Sequence, residues 1–337
     1  MKAVAYFESL AIDDPRALQD VELPEPVPDP RDLLVEVRAI SVNPVDTKVR
    51  RNTQPEAGEP KVLGWDVAGV VVGVGREVSL FKVGDEVFYA GSIARAGGNS
   101  ERHLVDERIV GRKPRSLSFA EAAALPLTAI TAWELLFERL QLVEGQGAGQ
   151  QLLIVGAAGG VGSIMLQLAR QLTEVSVIAT ASRPETQAWA RELGAHHVID
   201  HSQPLHAELQ RAGFASVSHV ASLTQTDQHF DQLVEALTPQ GRLALIDDPA
   251  QPLDVMKLKR KSLSLHWELM FTRSLFETPD MIEQHHLLQR VSQLVDQGVL
   301  HTTLGEHFGT INAANLRRAH ALLESGKAKG KIVLEGF

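Results

Sequence analysis

Residues Leu152 to Leu172, LLIVGAAGGVGSIMLQLARQL, restrict the fold of this 337-residue chain more than any other stretch. Leu152, Leu153, Ile154 and Val155 form the short apolar run of a strand buried on both faces. Gly156, Ala157, Ala158, Gly159, Gly160, Val161 and Gly162 follow at once. Val161, Met165, Leu168, Ala169 and Leu172 then recur at helical spacing. Strand, glycine-rich turn and helix in that order are the context of a dinucleotide-binding turn. Small residues let the backbone approach a pyrophosphate, and the helix N-terminus offers free N–H groups and a positive dipole end. Alone, the glycines would suit a merely tight turn equally well. The alternation of strands and helices downstream favours the nucleotide.

At 337 residues the chain exceeds one small core, and two domains are expected. A net charge of −9 with no block of Lys or Arg argues against nucleic acid as a partner. There is no cysteine, which removes disulfides, thiol catalysis and cysteine-based metal sites together. The N-terminal MKAVAYFESLAIDD lacks the apolar core of a signal peptide, and no stretch reads as a membrane span. A cytoplasmic protein is expected.

Residues 1 to about 125 read as β-rich, with strands at Ala3–Phe7, Leu33–Ile40, Val67–Val74, Glu86–Tyr89 and His103–Val110. Turn residues separate them and no long helix intervenes, which suits a small barrel or sandwich. A helix is predicted over Pro126–Leu142 from the apolar spacing of Leu125, Ala129, Trp133, Leu136 and Leu140. Strands at Leu152, Val175–Thr180, His197–Ile199, Val217–Ser222, Arg242–Ile246 and Leu263–Glu268 alternate with helices. That is the pattern of a doubly wound parallel sheet. The link from Ile246 to Leu263 reads as an extended crossover. Helices over Met281–Gln297 and Asn312–Ser325, then a strand at Lys331–Leu334, return to the first domain.

A dinucleotide site selective for NAD places an acid at the tip of the second strand. Here that tip is Thr180-Ala181-Ser182-Arg183. A serine hydroxyl and an arginine fork suit a phosphate, so NADP(H) is favoured. Ser182 as the cap of the following helix is the competing reading.

Six stretches taken together resemble the medium-chain dehydrogenase/reductases: SVNPVDTKVR, LGWDVAGVVVGVG, GDEVFYAG, LPLTAITAWELL, GAAGGVG and AHALLESGKAKGKIVL. They span essentially the whole chain and are closest to the zinc-type alcohol dehydrogenase-like and quinone oxidoreductase branch. The resemblance implies an α/β protein with a GroES-like β-barrel catalytic domain, residues 1–125 and 272–337. A Rossmann domain binding NADP(H) is expected over 126–271, with an active-site cleft between the two and a homodimeric assembly. The stretch Leu263–Met270 would supply the edge strand for that dimer.

Departures from the pattern point to the chemistry. Asn43 and Trp65 stand where the zinc-dependent enzymes carry cysteine and histidine ligands, and the four-cysteine structural lobe is missing. No zinc is expected. Without a Lewis acid, hydride delivery to a quinone or an α,β-unsaturated carbonyl is the expected reaction. By position, Asn43 would lie near the nicotinamide, or be only a turn residue before Pro44. Asp46 matches a retained acid with a structural role. Thr128, His201 and Lys331 match cofactor-approaching positions; helix capping, a loop histidine and a surface lysine are their plain alternatives. No proton donor stands out: Lys48 and Tyr89 are weak candidates, and solvent is the alternative. Trp65, Trp267 and Phe271 would line an apolar pocket or simply pack the core. The adjacent pairs His196-His197 and His285-His286 diverge and are poor chelators. A non-catalytic NADPH-binding redox sensor and an alcohol dehydrogenase with an unusual metal site are the competing functions.

Overall fold

The computed structural model describes all residues, 1–337. The chain divides into two units, Met1–Ile130 with Phe271–Phe337, and Thr131–Met270.

In the first unit the strands are β1 (Lys2–Tyr6), β2 (Gln19–Glu22), β3 (Asp32–Val42), β4 (Lys61–Val62), β5 (Val67–Val74), β6 (Glu86–Tyr89), β7 (Arg102–Asp106) and β8 (Gly111–Arg112). The helices α1 (Pro44–Asn52) and α2 (Phe119–Ala123) belong to it, and α3 (Pro126–Trp133) begins in it and ends in the second unit. The second unit holds β9 (Gln151–Val155), α4 (Gly160–Leu172), β10 (Ser176–Thr180), α5 (Pro184–Glu192), β11 (His197–Ile199), α6 (Leu205–Arg211), β12 (Val217–Ser222), α7 (Thr226–Ala236), β13 (Leu237–Leu245) and β14 (Ser264–Trp267). The chain then returns to the first unit with α8 (Thr272–Phe276), α9 (Glu283–Asp296), β15 (Leu304–His307), α10 (Ala313–Glu324) and β16 (Lys331–Glu335).

The main sheet of the first unit runs β15-β16-β3-β5-β6-β8, with β7 also on β3, and β2-β1-β4 form a second sheet. Long β3 is its spine. It pairs antiparallel with β16 (Ile332 opposite Val42), β5 (Ile40 opposite Val67) and β7. Those registers bring the end of β3, the residue before β5 and the start of β16 to one edge. The helix α1 breaks the expectation of a helix-free barrel. Asn43 as N-cap, Pro44 at the first helical position and Asp46 two residues on, with the Asn43 N–H donating to the Asp46 carboxylate at 2.6 Å, make a helix start rather than a plain turn.

The second unit is a parallel sheet in the order β11-β10-β9-β12-β13-β14, the expected doubly wound architecture. Central β9 is buried on both faces. Leu153 and Val155 join a core with Ile178, Val220, Leu243 and Leu245 of neighbouring strands, Leu205 and Leu209 of α6, and Phe230 and Leu233 of α7. Leu152 and Ile154 are equally buried on the other face. The crossover before β14 holds a short 3-10 helix at Val255–Lys261 where an extended link was expected. The helix predicted over Pro126–Leu142 turns π-helical at Glu134–Arg139, with Leu140 N–H reaching Leu135 O.

The stretch Phe119–Arg139 corrects one expectation, because by length and composition it is apolar enough to cross a membrane. In the fold, 83% of its most apolar window is buried inside the protein. Its apolar side chains are spent on packing.

Leu153 has no exposed surface. Leu153→Ala should lower stability by about 2–5 kcal/mol through lost burial and a residual cavity. Denaturant unfolding followed by far-UV circular dichroism measures it, and an unchanged midpoint would contradict the packing described.

Candidate active site

Four of the singled-out residues, Asn43, Asp46, Trp65 and Lys331, meet at the edge of the first unit's sheet with Asp66, which the sequence reading passed over. Lys331 is 3% exposed, and its ammonium lies 2.9 Å from the Asp66 carboxylate and 3.0 Å from Val42 O. It also donates to the carboxamide oxygen of Asn43. The other end of that carboxamide donates to Asp66 Oδ2 at 2.8 Å and to Trp65 O at 3.3 Å. Asp66 Oδ1 accepts the backbone N–H of Leu127 at 2.7 Å, which fixes the start of α3. Burial pushes the Asp66 carboxyl up; Lys331, the Leu127 N–H and Asn43 pull it back. Every partner is a donor, so the carboxylate is the form that satisfies them all.

Asp46 shares the cluster but not the ammonium. Its oxygens accept the N–H groups of Asn43 at 2.6 Å and Gly64 at 2.9 Å. Burial pushes its carboxyl up to about 7, against those two N–H donors and the charge of Lys331. Gly64 has φ +109, and a Cβ there would sit 2.3 Å from the Asn99 side chain, so the loop carrying Trp65 and Asp66 closes only around glycine.

Trp65 is 1% exposed, donates to Ser92 O at 3.1 Å and packs edge-to-face on Phe271, 6.1 Å between centroids. These two aromatics are core. Trp267 is 54% exposed on β14 and does not share their burial. Thr128 Oγ1 donates to Leu125 O at 3.0 Å, the local helix-start bond that was its plain alternative. Tyr89 OH lies 2.9 Å from His103 Nδ1, and His103 Nε2 lies 2.9 Å from Ala96 O. Burial holds the His103 ring neutral, with its pKa near about 4. A carbonyl only accepts, so Nε2 carries the hydrogen and Tyr89 donates to Nδ1. Its proton is committed.

In the second unit the residues predicted to hold a nucleotide gather at the carboxyl ends of three adjacent strands. Gly156 has φ +81 and donates its N–H to Thr180 Oγ1 at 3.2 Å, tying the turn after β9 to the end of β10. Ala157 and Ala158 continue the turn, and Gly159 is the N-cap of α4 with no side-chain cap. A Cβ on Gly159 would meet only Gly156 O, at 3.5 Å, so space opens in front of the N–H groups of Gly160, Val161 and Gly162. A Cβ on Gly162 would come within 2.5 Å of Ala157, so close passage of helix over turn requires that glycine. Ser182 is exposed and does not cap α5; Arg183 holds the cap position, its guanidinium 3.1 Å from Glu185. His201 follows β11, beside His229 at 6.2 Å between ring centroids, with a buried Nδ1 that has no partner. This glycine cradle fits a dinucleotide phosphate. Lys331 belongs to the first unit's buried cluster.

A catalytic zinc does not fit. No three His, Asp or Glu residues are grouped as ligands. Asn43 and Trp65 offer an amide and an indole, both committed to protein partners; of the two carboxylates beside them, Asp66 is held by an ammonium and Asp46 by two backbone N–H groups.

The raised Asp46 pKa makes stability depend on pH. A carboxyl protonating more readily in the folded state contributes stability that is full below about pH 4 and lost as pH rises through about 7. Relative to Asp46→Asn, the native protein should therefore lose on the order of 2–4 kcal/mol over that range, read by urea unfolding. A pH-independent difference would assign Asp46 an ordinary titration.

The chain matches the alcohol dehydrogenase GroES-like domain family over residues 29–132 and the zinc-binding dehydrogenase family over residues 193–334. A zinc-type alcohol dehydrogenase-like protein of Staphylococcus aureus is 37% identical over 336 residues, 99% of each chain. A crystal structure from Rhizobium etli CFN 42, provisionally described as a zinc-dependent alcohol dehydrogenase, is 59% identical, covers 100% of this chain and 98% of its own, and superposes with a TM-score of 0.96. Escherichia coli quinone oxidoreductase complexed with NADPH covers 99% of this chain and all of its own at 25% identity and a TM-score of 0.84. Over its full length the chain belongs to the zinc-type alcohol dehydrogenase-like, quinone oxidoreductase-related branch of the medium-chain dehydrogenase/reductase superfamily, a family of oxidoreductases.

Proposed function

We propose that this chain is a metal-free, NADPH-dependent reductase of quinones or α,β-unsaturated carbonyl compounds. The observation that carries the reading is the donor set around Asp66: an ammonium, a side-chain amide and a backbone N–H, with no grouping able to hold a Lewis acid. An alcohol needs such activation; an electron-poor acceptor does not. NADPH supplies the hydride when bound. The N–H groups of Gly160, Val161 and Gly162 would receive its pyrophosphate, and Ser182 and Arg183 the additional ribose phosphate. His201 borders the same strand ends. Tyr89 and Lys331 have their hydrogens engaged by protein acceptors, so the product proton comes from solvent. A cytoplasmic setting is part of the proposal.

Purified protein treated with a chelator should oxidise NADPH with benzoquinone or an unsaturated aldehyde, and NADH far more slowly. Arg183→Ala should raise the KM for NADPH by about 10–100-fold, the worth of charge-assisted hydrogen bonds to a phosphate, and leave NADH use unchanged. Turnover lost to the chelator would defeat the metal-free reading. Tight NADPH binding without turnover would favour a sensor.

We further propose a homodimer formed through β14. It is the outermost strand of its sheet, with Trp267 54% and Leu269 51% exposed. Light scattering should give twice 36.8 kDa, and Trp267→Lys should shift the mass toward the monomer. A native monomer would remove the proposal.

A further inference from the structure

Lys331 is the charged group of the cluster for which the reductase reading has no task. Three oxygens from two parts of the chain surround its ammonium: the carbonyl of Val42 at the end of β3, the carboxamide of Asn43 next to it, and the carboxylate of Asp66. An ammonium has three hydrogens. All three are engaged, so none is available for a product or a cofactor phosphate.

Carboxylate, amide and carbonyl oxygens are the donors from which a site for a hard cation is built. Asn43, which holds the ammonium, and Trp65, the residue before Asp66, stand where the resemblance places ligands in zinc-dependent relatives. The ligands are gone, yet the need for a cation persists, because the Asp66 and Asp46 carboxyls are both buried, at 0% and 1% exposure. We propose that Lys331 is a tethered cation standing in place of a metal. It is a positioning residue: it ties the first residue of β16 to the end of β3, to the residue before β5 and, through Asp66, to the Leu127 N–H at the start of α3. The site thereby keeps its shape and charge balance with no ion bound. The inference rests on the metal-free part of the reading above and not on which acceptor is reduced.

The test removes the ammonium and offers it back. Lys331→Ala in the full chain should melt roughly 5–10 °C below the native protein, as expected when one partner of a buried pair is lost. n-Propylammonium should recover at least about half of that loss, and 1-propanol, of similar shape without charge, essentially none. An unchanged melting temperature, or equal recovery with both compounds, overturns the proposal.

Where turnover is measurable, kcat should fall about tenfold or more and return with n-propylammonium, with the NADPH KM within about twofold of native. A raised NADPH KM at unchanged kcat would place Lys331 on the cofactor and overturn the proposal. If Lys331→Ala does not fold, Lys331→Met/Asp66→Asn decides: with both charges removed it should melt above Asp66→Asn alone, and a melting temperature no higher overturns the idea. A native protein without turnover defeats the reductase reading, while the melting experiments still decide this one.

Discussion

The buried ion pair between Lys331 and Asp66 is the contact on which this edge of the first unit's sheet depends. Two ionised groups at 3% and 0% exposure survive burial only when their remaining hydrogen-bonding positions are filled. Here they are. Lys331 is completed by Val42 O and Asn43, and Asp66 by Asn43 and the Leu127 N–H. Removing one partner from such a pair typically costs about 3–5 kcal/mol, because the other is left charged in a low dielectric. The pair therefore couples segments remote in sequence: the last strand, the end of the longest strand, and the entry to a helix. Asn43 belongs to this framework. Its carboxamide is used at both ends, which makes it a holder of both Lys331 and Asp66.

The second unit solves a different problem by different means. Its site is made of backbone, and its side chains matter mainly by being absent. Gly156 takes a left-handed conformation, Gly162 admits the close passage of α4 over Ala157, and Gly159 leaves open space before the helix N-terminus. Only at the neighbouring strand tip does a charged side chain enter, and Arg183 there already shares its guanidinium with Glu185. A phosphate would compete with that exposed pair, and exposed pairs are weak.

Much of this was legible in one dimension because it depends on local pattern. The buried run Leu152–Val155, the glycines after it and the helical spacing to Leu172 each refer to near neighbours, and so do the glycine stops at Gly194, Gly298 and Gly326, all with positive φ. The helix α1 was hidden by the same logic. Asn43-Pro44 reads as a turn until Asp46 is seen to close the capping box with Asn43. Asp66 gave no local sign. Its importance comes from Lys331, 265 residues later, and from Leu127, neither of which any spacing rule connects to it.

The sequence by itself determined the two kinds of sheet, the glycine turn, the missing acid at the second strand tip and the lack of cysteine, because residue type and short-range periodicity dictate these. Only the tertiary structure decided that Trp65 and Phe271 are core, that the Tyr89 proton is committed to His103, and that Lys331 meets a carboxylate instead of solvent. The physical reason is register. The pairing of β3 with β16 and with β5 places Lys331, Asn43 and Asp66 at one edge, and strand pairing over such separations is set by the whole sheet rather than by any segment within it.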